Sequence, residues 1–374
     1  MSGPSSHEAN RQTGPPPAAR KRLPVARKKR VGLLTSGGDC PGINAAIRGI
    51  GKTAIRVHGM EVIGFVNGFY GLLHQEYVQL TDESLSGILT LGGTILGTSR
   101  EKPFARMGGE DGTAKPKALL KTVAALGLDC VVCVGGNGTM KTAHLLSEAG
   151  VNVIGVPKTI DNDVWGTDQT FGFDSAVTIA TEAIDRLHTT ANSHQRIMVL
   201  EVMGHSAGWL ALAAGVAGGG DVILVPEIAW SEATVGDYLV QRQKDGRPYS
   251  IVVVAEGIAL PKKALSAGTR PGRWVAQRIT ALTGLETRET VLGYVQRGGS
   301  PSPNDRILAT RLGTSAATLI AKGKFGRMVA LHGSTVTSVP LATTAGKLRL
   351  VRPRHPLVLE ARALGVCFGD QGAK

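Results

Sequence analysis

The feature that most constrains this chain is a unit that recurs along it. A short apolar run ends in glycine with one or two charged or hydroxyl residues, and a helix-like stretch follows. Residues 31–35 run into Ser36-Gly37-Gly38-Asp39, residues 131–134 into Gly135-Gly136-Asn137-Gly138-Thr139 and a helical 140–149, and residues 151–156 into Pro157-Lys158-Thr159-Ile160-Asp161-Asn162-Asp163. Residues 197–202, 222–225, 251–255 and 290–295 end in the same way, the last at Gln296-Arg297-Gly298-Gly299. Strand, glycine turn and helix in alternation specify an α/β protein with mostly parallel sheets. There are too many strands for one ordinary sheet. The expectation is therefore two Rossmann-like, three-layer domains whose polar strand ends face one shared crevice, because ligands in such sheets bind beyond the carboxyl ends of the strands.

Charge narrows the partners. The chain of 374 residues has 42 Lys and Arg against 29 Asp and Glu, a net +13. Residues 1–30 alone hold eight of the cations and one Glu, with Pro15-Pro16-Pro17 and few apolar residues. Such a segment cannot bury enough surface to fold alone and reads as a disordered basic tail able to bind anions. The body is much closer to balance, so nucleic acid is not a required partner. No apolar run is long enough to span a membrane and no secretory leader is recognisable. Cys130 and Cys133 are three apart on an apolar strand and so point to opposite faces. They read, with Cys40 and Cys367, as reduced thiols in a cytoplasmic protein.

The glycine loops point to phosphate. Gly37-Gly38 and Gly136–Gly138 let backbone N–H groups approach an anion, and the following helix adds its positive end. Thr139 would otherwise serve as a cap. Asp161 and Asp163 share one face if their loop is extended, and two carboxylates so close need a cation between them, as in a magnesium–phosphate centre. Lys158 supplies a point charge beside them. Arg196, Arg288 and Arg297 sit at or near strands, where an arginine must be paired: either with a ligand phosphate or with Glu201 or Glu289. The residues thus describe an enzyme handling two phosphorylated ligands, by positioning and charge stabilisation.

Ordered blocks from about Val31 to about Gly346 resemble the bacterial-type 6-phosphofructokinases. They are Leu34-Thr35-Ser36-Gly37-Gly38-Asp39, Gly92-Gly93-Thr94 with Gly97-Thr98-Ser99-Arg100, Pro157 to Asp163, Glu201-Val202-Met203-Gly204, and Val291 to Pro301. The resemblance implies transfer of the γ-phosphoryl of ATP, with Mg2+, to the 6-hydroxyl of fructose 6-phosphate, giving fructose 1,6-bisphosphate in glycolysis. It implies that Asp161 is the general base, with Thr159, Arg100 and Asp163 as the other catalytic residues. Gly38, Arg100, Gly136, Asn137, Gly138, Thr139 and Lys158 would bind the donor. Thr159, Asp161, Arg196, Met203, Gly204, Glu256, Arg288 and Arg297 would bind the sugar phosphate, and Asp163, with Asn137, the metal. Residues 31–172 with 296–346 would form the donor domain and residues 173–295 with 347–374 the sugar domain. Arginines at the positions of Arg196 and Arg288 come from a neighbouring subunit in this family, which implies a homotetramer or at least a homodimer.

Gly138 matches ATP-using members, where a carboxylate would crowd the α-phosphate, whereas Lys158 resembles pyrophosphate-using ones. Steric exclusion is the harder constraint, so ATP is expected and pyrophosphate is the alternative. Three positions depart from the family pattern. Asn137 stands for a metal-associated aspartate, His205 for an arginine, with Lys158 as a compensating cation, and Tyr294 for a substrate-binding histidine. Asn137 and His205 also suit a phosphate-binding relative with impaired catalysis.

Overall fold

The apolar runs pair into two separate sheets in a computed structural model that describes residue 3 and residues 27–104 and 114–370. The strands are β1 (Arg30–Thr35), β2 (Glu61–Phe65), β3 (Tyr77–Leu80), β4 (Cys130–Gly135), β5 (Val153–Pro157), β6 (Ile197–Val202), β7 (Val222–Leu224), β8 (Ser250–Ala255), β9 (Thr287–Val291), β10 (Arg327–His332) and β11 (Thr335–Pro340). The larger sheet runs β11-β10-β5-β4-β1-β2-β3, the smaller β7-β8-β6-β9. Only the two edge pairs of the larger sheet, β10 with β11 and β2 with β3, are antiparallel. The protein is α/β with two mostly parallel sheets. The central strands β4, β5 and β8 are buried along their whole length, and strands covered on both faces need unbroken apolar runs rather than alternation.

Burial follows the period of the strand. Cys130 belongs to one apolar cluster with Val132 and Val134, and Cys133 to a second with Val131, so the two thiols lie on opposite faces of the larger sheet. All four cysteines are free. One helix pair locks the larger sheet from one side. Helix Ile43–Arg56 crosses helix Pro303–Ala321 where Gly49 faces the Thr310 backbone and Gly313 faces the Ala46 carbonyl. A Cβ on Gly49 would come within 2.9 Å of the Thr310 oxygen.

Three boundaries differ from the sequence reading. The strand expected at 290–295 starts earlier, at Thr287, and stops at Val291; Gly293, at φ +50°, turns the chain into a 3₁₀ segment, Gly293–Arg297. The basic tail expected over residues 1–30 gives way to structure before its end. Arg30 opens β1 and pairs with Glu61, and Arg27 pairs with Asp129. The rest of that segment, apart from residue 3, lies outside the described residues. Four strands, β2, β3, β10 and β11, escaped the pattern: β3 and β11 are largely exposed edge strands, and β2 and β10, though mostly buried, were not marked by the strand–glycine–helix unit.

The topology fixes where a ligand belongs. From β1 the chain winds outward to β2 and later, from β4, in the other direction to β5, so the order reverses between neighbours β1 and β4. Register keeps the ends level, with Thr35 opposite Val134 and Val134 opposite Val156. The loops after β1, β4 and β5 therefore emerge side by side at a topological switch point.

Candidate active site

These three loops line one cavity of about 580 Å3. Their backbones are tied to one another and to the segment 97–100. The Gly37 N–H donates to the Ser99 carbonyl (3.0 Å), the Thr98 hydroxyl to the Gly37 carbonyl (2.7 Å), and the Thr139 hydroxyl to the Ser36 carbonyl (3.3 Å). Thr139 is thus a bridge between the glycine loops and not a helix cap. Helix Asn137–Glu148 has no side-chain cap at all, which leaves the N–H groups of its first turn without that partner and adds the positive end of the helix dipole. Two glycines differ in the space around them. A Cβ on Gly38 would overlap the Arg297 guanidinium, whereas at Gly138 nothing lies within 4 Å and the residue itself lines the cavity.

The acidic loop follows β5. Asp161 and Asp163 both line the cavity, but the loop is not extended as expected. Asn162 between them is left-handed at φ +52°, a conformation that a non-glycine residue holds only when its surroundings fix it. Its side-chain oxygen accepts the Thr170 N–H at 3.0 Å. Burial raises the Asp161 carboxyl above its usual range, opposed chiefly by the Arg297 charge. Asp163 is pushed up to about 6, first by burial and then by the neighbouring Asp161. Thr159 accepts the Asp161 N–H at 3.1 Å, setting the loop's first turn. Lys158 is buried, its ammonium donating to the Gly38 carbonyl, and burial lowers its pKa. It therefore links the first glycine loop to the acidic loop.

The smaller sheet contributes from the opposite side. Its neighbours β6 and β8 end level, Val202 opposite Ala255. Met203, Gly204 and His205 follow β6 and Glu256 follows β8. His205 is also left-handed (φ +52°) and lines the cavity, and its N–H donates to the Glu256 carboxylate at 2.9 Å. Of the expected residues, Gly38, Arg100, Gly136, Asn137, Gly138, Thr139, Lys158, Thr159, Asp161, Asp163 and Arg297 converge on the cavity. Met203, Gly204 and Glu256 flank it beside His205. Arg196 and Arg288 do not reach it. Both pair with Glu286, at 2.7 and 2.5 Å, and not with Glu201 or Glu289, the alternative partners expected. Glu201 instead accepts the Gly272 N–H. Tyr294 is 74% exposed and outside the cavity, with the Arg297 guanidinium 5.6 Å from its ring centre.

Three buried polar atoms in this cavity lack a partner: Asn137 Oδ1, Asp161 Oδ1 and Arg297 Nε. Buried polar groups are otherwise almost always satisfied, so the cavity is built for a polar ligand. Two carboxylates and an orphaned amide oxygen form an all-oxygen donor set suited to a hard cation. No group of three or more His, Cys, Asp or Glu residues among those described could hold a metal unaided.

Sequence reasoning missed Lys141, Thr142 and Leu145, which line the cavity. Their spacing of three, four and seven from Gly138 was the available signal, since it places them on one helix face. Phe69, Phe104 and Leu348 add apolar walls from distant parts of the chain, with no local signal.

A family model described as phosphofructokinase matches residues 30–320. The chain belongs to that family. Among phosphofructokinases, the protein of Bacteroides thetaiotaomicron named ATP-dependent 6-phosphofructokinase 3 is 60% identical over 340 residues, 91% of this chain and 100% of that one. The pyrophosphate–fructose 6-phosphate 1-phosphotransferase of Amycolatopsis methanolica is 47% identical over 339 residues, 87% of this chain and 97% of its own. Of solved structures, the phosphofructokinase of Saccharomyces cerevisiae matches with a TM-score of 0.75 at 32% identity, over 85% of this chain and 45% of the yeast chain. The phosphofructokinase match ends at residue 320, yet β10, β11 and the cavity residue Leu348 lie beyond it.

Proposed function

We propose that this phosphofructokinase transfers the γ-phosphoryl of ATP to fructose 6-phosphate. The observation that carries the reading is the space at Gly138: the cavity is open where a side chain would meet the α-phosphate of a nucleotide, and the acidic pair lines the same cavity. The 6-hydroxyl first expected cannot be the acceptor, because carbon 6 of this sugar already carries its phosphate. Formation of the 1,6-bisphosphate requires attack by the 1-hydroxyl. Asp161 takes the proton from that hydroxyl as general base, a role that its raised pKa brings nearer to the working range. Thr159 and the Gly38 N–H orient the transferring phosphoryl, and Arg100 and Lys158 neutralise charge that develops on it. Asp163 and Asn137 would hold Mg2+, which would supply charge neutralisation to the donor phosphates. Arg297, Glu256, Met203 and Gly204 hold the sugar phosphate.

Residues 31–172 with 296–346 form the donor side in this reading and residues 173–295 with 347–374 the sugar side; sheet membership supports the division, with β6–β9 all falling in the latter. Arg196 and Arg288, half-exposed and exposed at the rim of the smaller sheet, serve the site of a neighbouring subunit in a homodimer or homotetramer. Free cysteines support a reducing, cytoplasmic setting, and no helix among the described residues is long and apolar enough to cross a membrane. A second reading, with pyrophosphate as donor, is favoured by buried Lys158 at the phosphate loop. A coupled assay on fructose 6-phosphate with each donor decides. Turnover with ATP at least tenfold above that with pyrophosphate is expected, and the reverse ratio establishes the second reading.

A further inference from the structure

The acidic loop is held by a segment that follows the end of the family-model match at residue 320. Residues 347–351 run along the acidic loop: Leu348 pairs as a bridge with Val164, and the Arg349 N–H donates to the Asp163 carbonyl at 2.8 Å. The Arg349 guanidinium reaches one residue further, donating from Nη1 to the Asn162 carbonyl at 3.0 Å. Asn162 is the left-handed residue between the two carboxylates. The same guanidinium lies 3.9 Å from the ring centre of Trp209, the first residue of helix Trp209–Ala217 on the smaller sheet. The Trp209 indole N–H in turn donates to the Arg349 carbonyl at 2.9 Å. Two residues on, the Val351 N–H donates to Glu227, which also accepts the Gly208 N–H next to Trp209.

Arg349 is therefore used at every polar point. Its N–H bonds the acidic loop, its carbonyl bonds the helix opposite, and its guanidinium touches both. No carboxylate lies within ion-pair distance among the described residues; the aromatic face and a carbonyl are the cation's direct contacts, with the Asp168 charge acting from further away. A planar guanidinium can stack on an indole and donate in its own plane at once; an ammonium cannot. The carbonyls of Asn162 and Asp163, in the peptides before and after the Asp163 Cα, are thereby both held.

We propose that Arg349 is a positioning residue for phosphoryl transfer: stacked on Trp209, it pins the left-handed Asn162 and so aims Asp161 and Asp163 together into the cavity. The inference rests on the role given above to Asp161. It touches no reacting atom itself, so its loss lowers the rate of the chemical step and leaves sugar affinity largely intact.

The test uses the full chain and the variant Arg349→Met, which keeps a long apolar stem on Trp209 but removes the donor. Two measurements are made: steady-state kinetics with ATP and fructose 6-phosphate, and amide hydrogen exchange of the peptide spanning residues 159–164. The expected result is a kcat lowered about 10- to 100-fold with KM for the sugar changed less than about threefold. Exchange in that peptide should be at least about tenfold faster, and Arg349→Lys, which restores a donor without the planar stack, should recover part of the rate. If Arg349→Met does not fold, Trp209→Phe is measured in its place, and the same kcat-selective loss is expected. Unchanged kcat and unchanged exchange in a folded variant overturn the proposal. So does a loss that appears in KM alone, or one that Arg349→Lys leaves wholly unrecovered. Failure of the unaltered protein to turn over these substrates would count against the function proposed above; the exchange measurement would still decide whether Arg349 holds the loop.

Discussion

At the residue scale the site is a conflict held in place. The Asp161 charge disfavours ionisation of Asp163, in a cavity where burial already raises both carboxyls. The sequence showed the pair and its need for a cation, because two carboxylates two positions apart are visible in any reading. It did not show how they meet: a shared face was expected if the loop were extended, whereas Asn162 is left-handed and is held by Thr170, eight residues on, and by Arg349, far along the chain. The conflict has a measurable cost. The folded pKa of Asp163, about 6, exceeds the ordinary 3.8, so between those values the folded state binds more protons than the unfolded one. Stability therefore falls as pH rises through that window, by at most about 3 kcal/mol. Asp163→Asn should then raise the midpoint of urea unfolding at pH 8 in the presence of a chelator, and the gain should vanish below about pH 4, while activity is lost. A variant less stable than the parent at pH 8 would contradict this. Asp161→Asn should cut kcat about 10²- to 10⁴-fold with sugar binding nearly unchanged, as read by kinetics and calorimetry. Gly138→Asp fills the one open Cβ position in the donor loop, and its KM for ATP should rise at least about tenfold.

At the scale of elements, the strand–glycine–helix pattern carried the larger sheet's centre because buried parallel strands must be continuously apolar. It also placed the phosphate loops, since strand ends and glycine are local features. What it could not carry was contact between elements distant in sequence. Helices Ile43–Arg56 and Pro303–Ala321 approach closely through Gly49 and Gly313, yet neither glycine stands out among 50 in the chain. The closeness matters to the site, because the first of these helices follows the Gly37-Gly38 loop and the second follows Arg297. Gly49→Val should press a branched side chain against the Thr310 backbone. It should destabilise the protein by about 1–3 kcal/mol, measured by urea unfolding, with a larger effect than Gly59→Val, where a Cβ meets open space. Gly59 has a positive φ of 62°, so that control carries backbone strain of its own and the margin between the two is a lower bound on the packing effect.

At the scale of the whole molecule, net charge was a poor guide to partners. Of the +13, the first 30 residues hold eight cations against one acid, and much of that segment lies outside the described residues. The cations that bear on the cavity are few and placed: Arg100, Lys102, Lys141, Lys158 and Arg297 line it. Arg196 and Arg288 are the informative exceptions. A single chain leaves them on Glu286, away from the cavity, although the resemblance assigned them to the sugar phosphate. If each serves the site of a neighbouring copy, no subunit is complete alone, and closed symmetry is the simplest way to complete all of them. The consequence can be read by mixing two defective proteins. Arg288→Ala keeps its own Asp161 but gives its neighbour no arginine; Asp161→Asn keeps the arginine but has no base. Each alone should be nearly inactive at low sugar concentration. After reversible dissociation and reassociation in equal amounts, random pairing gives about a quarter of the sites an intact Asp161 from one subunit and an intact Arg288 from the other. Activity should return to roughly that fraction of the unaltered protein, with its ordinary KM. If the arginines acted within their own chain, the mixture would show no more than the average of its two parts, and sedimentation of the unaltered protein as a monomer would exclude the shared site altogether.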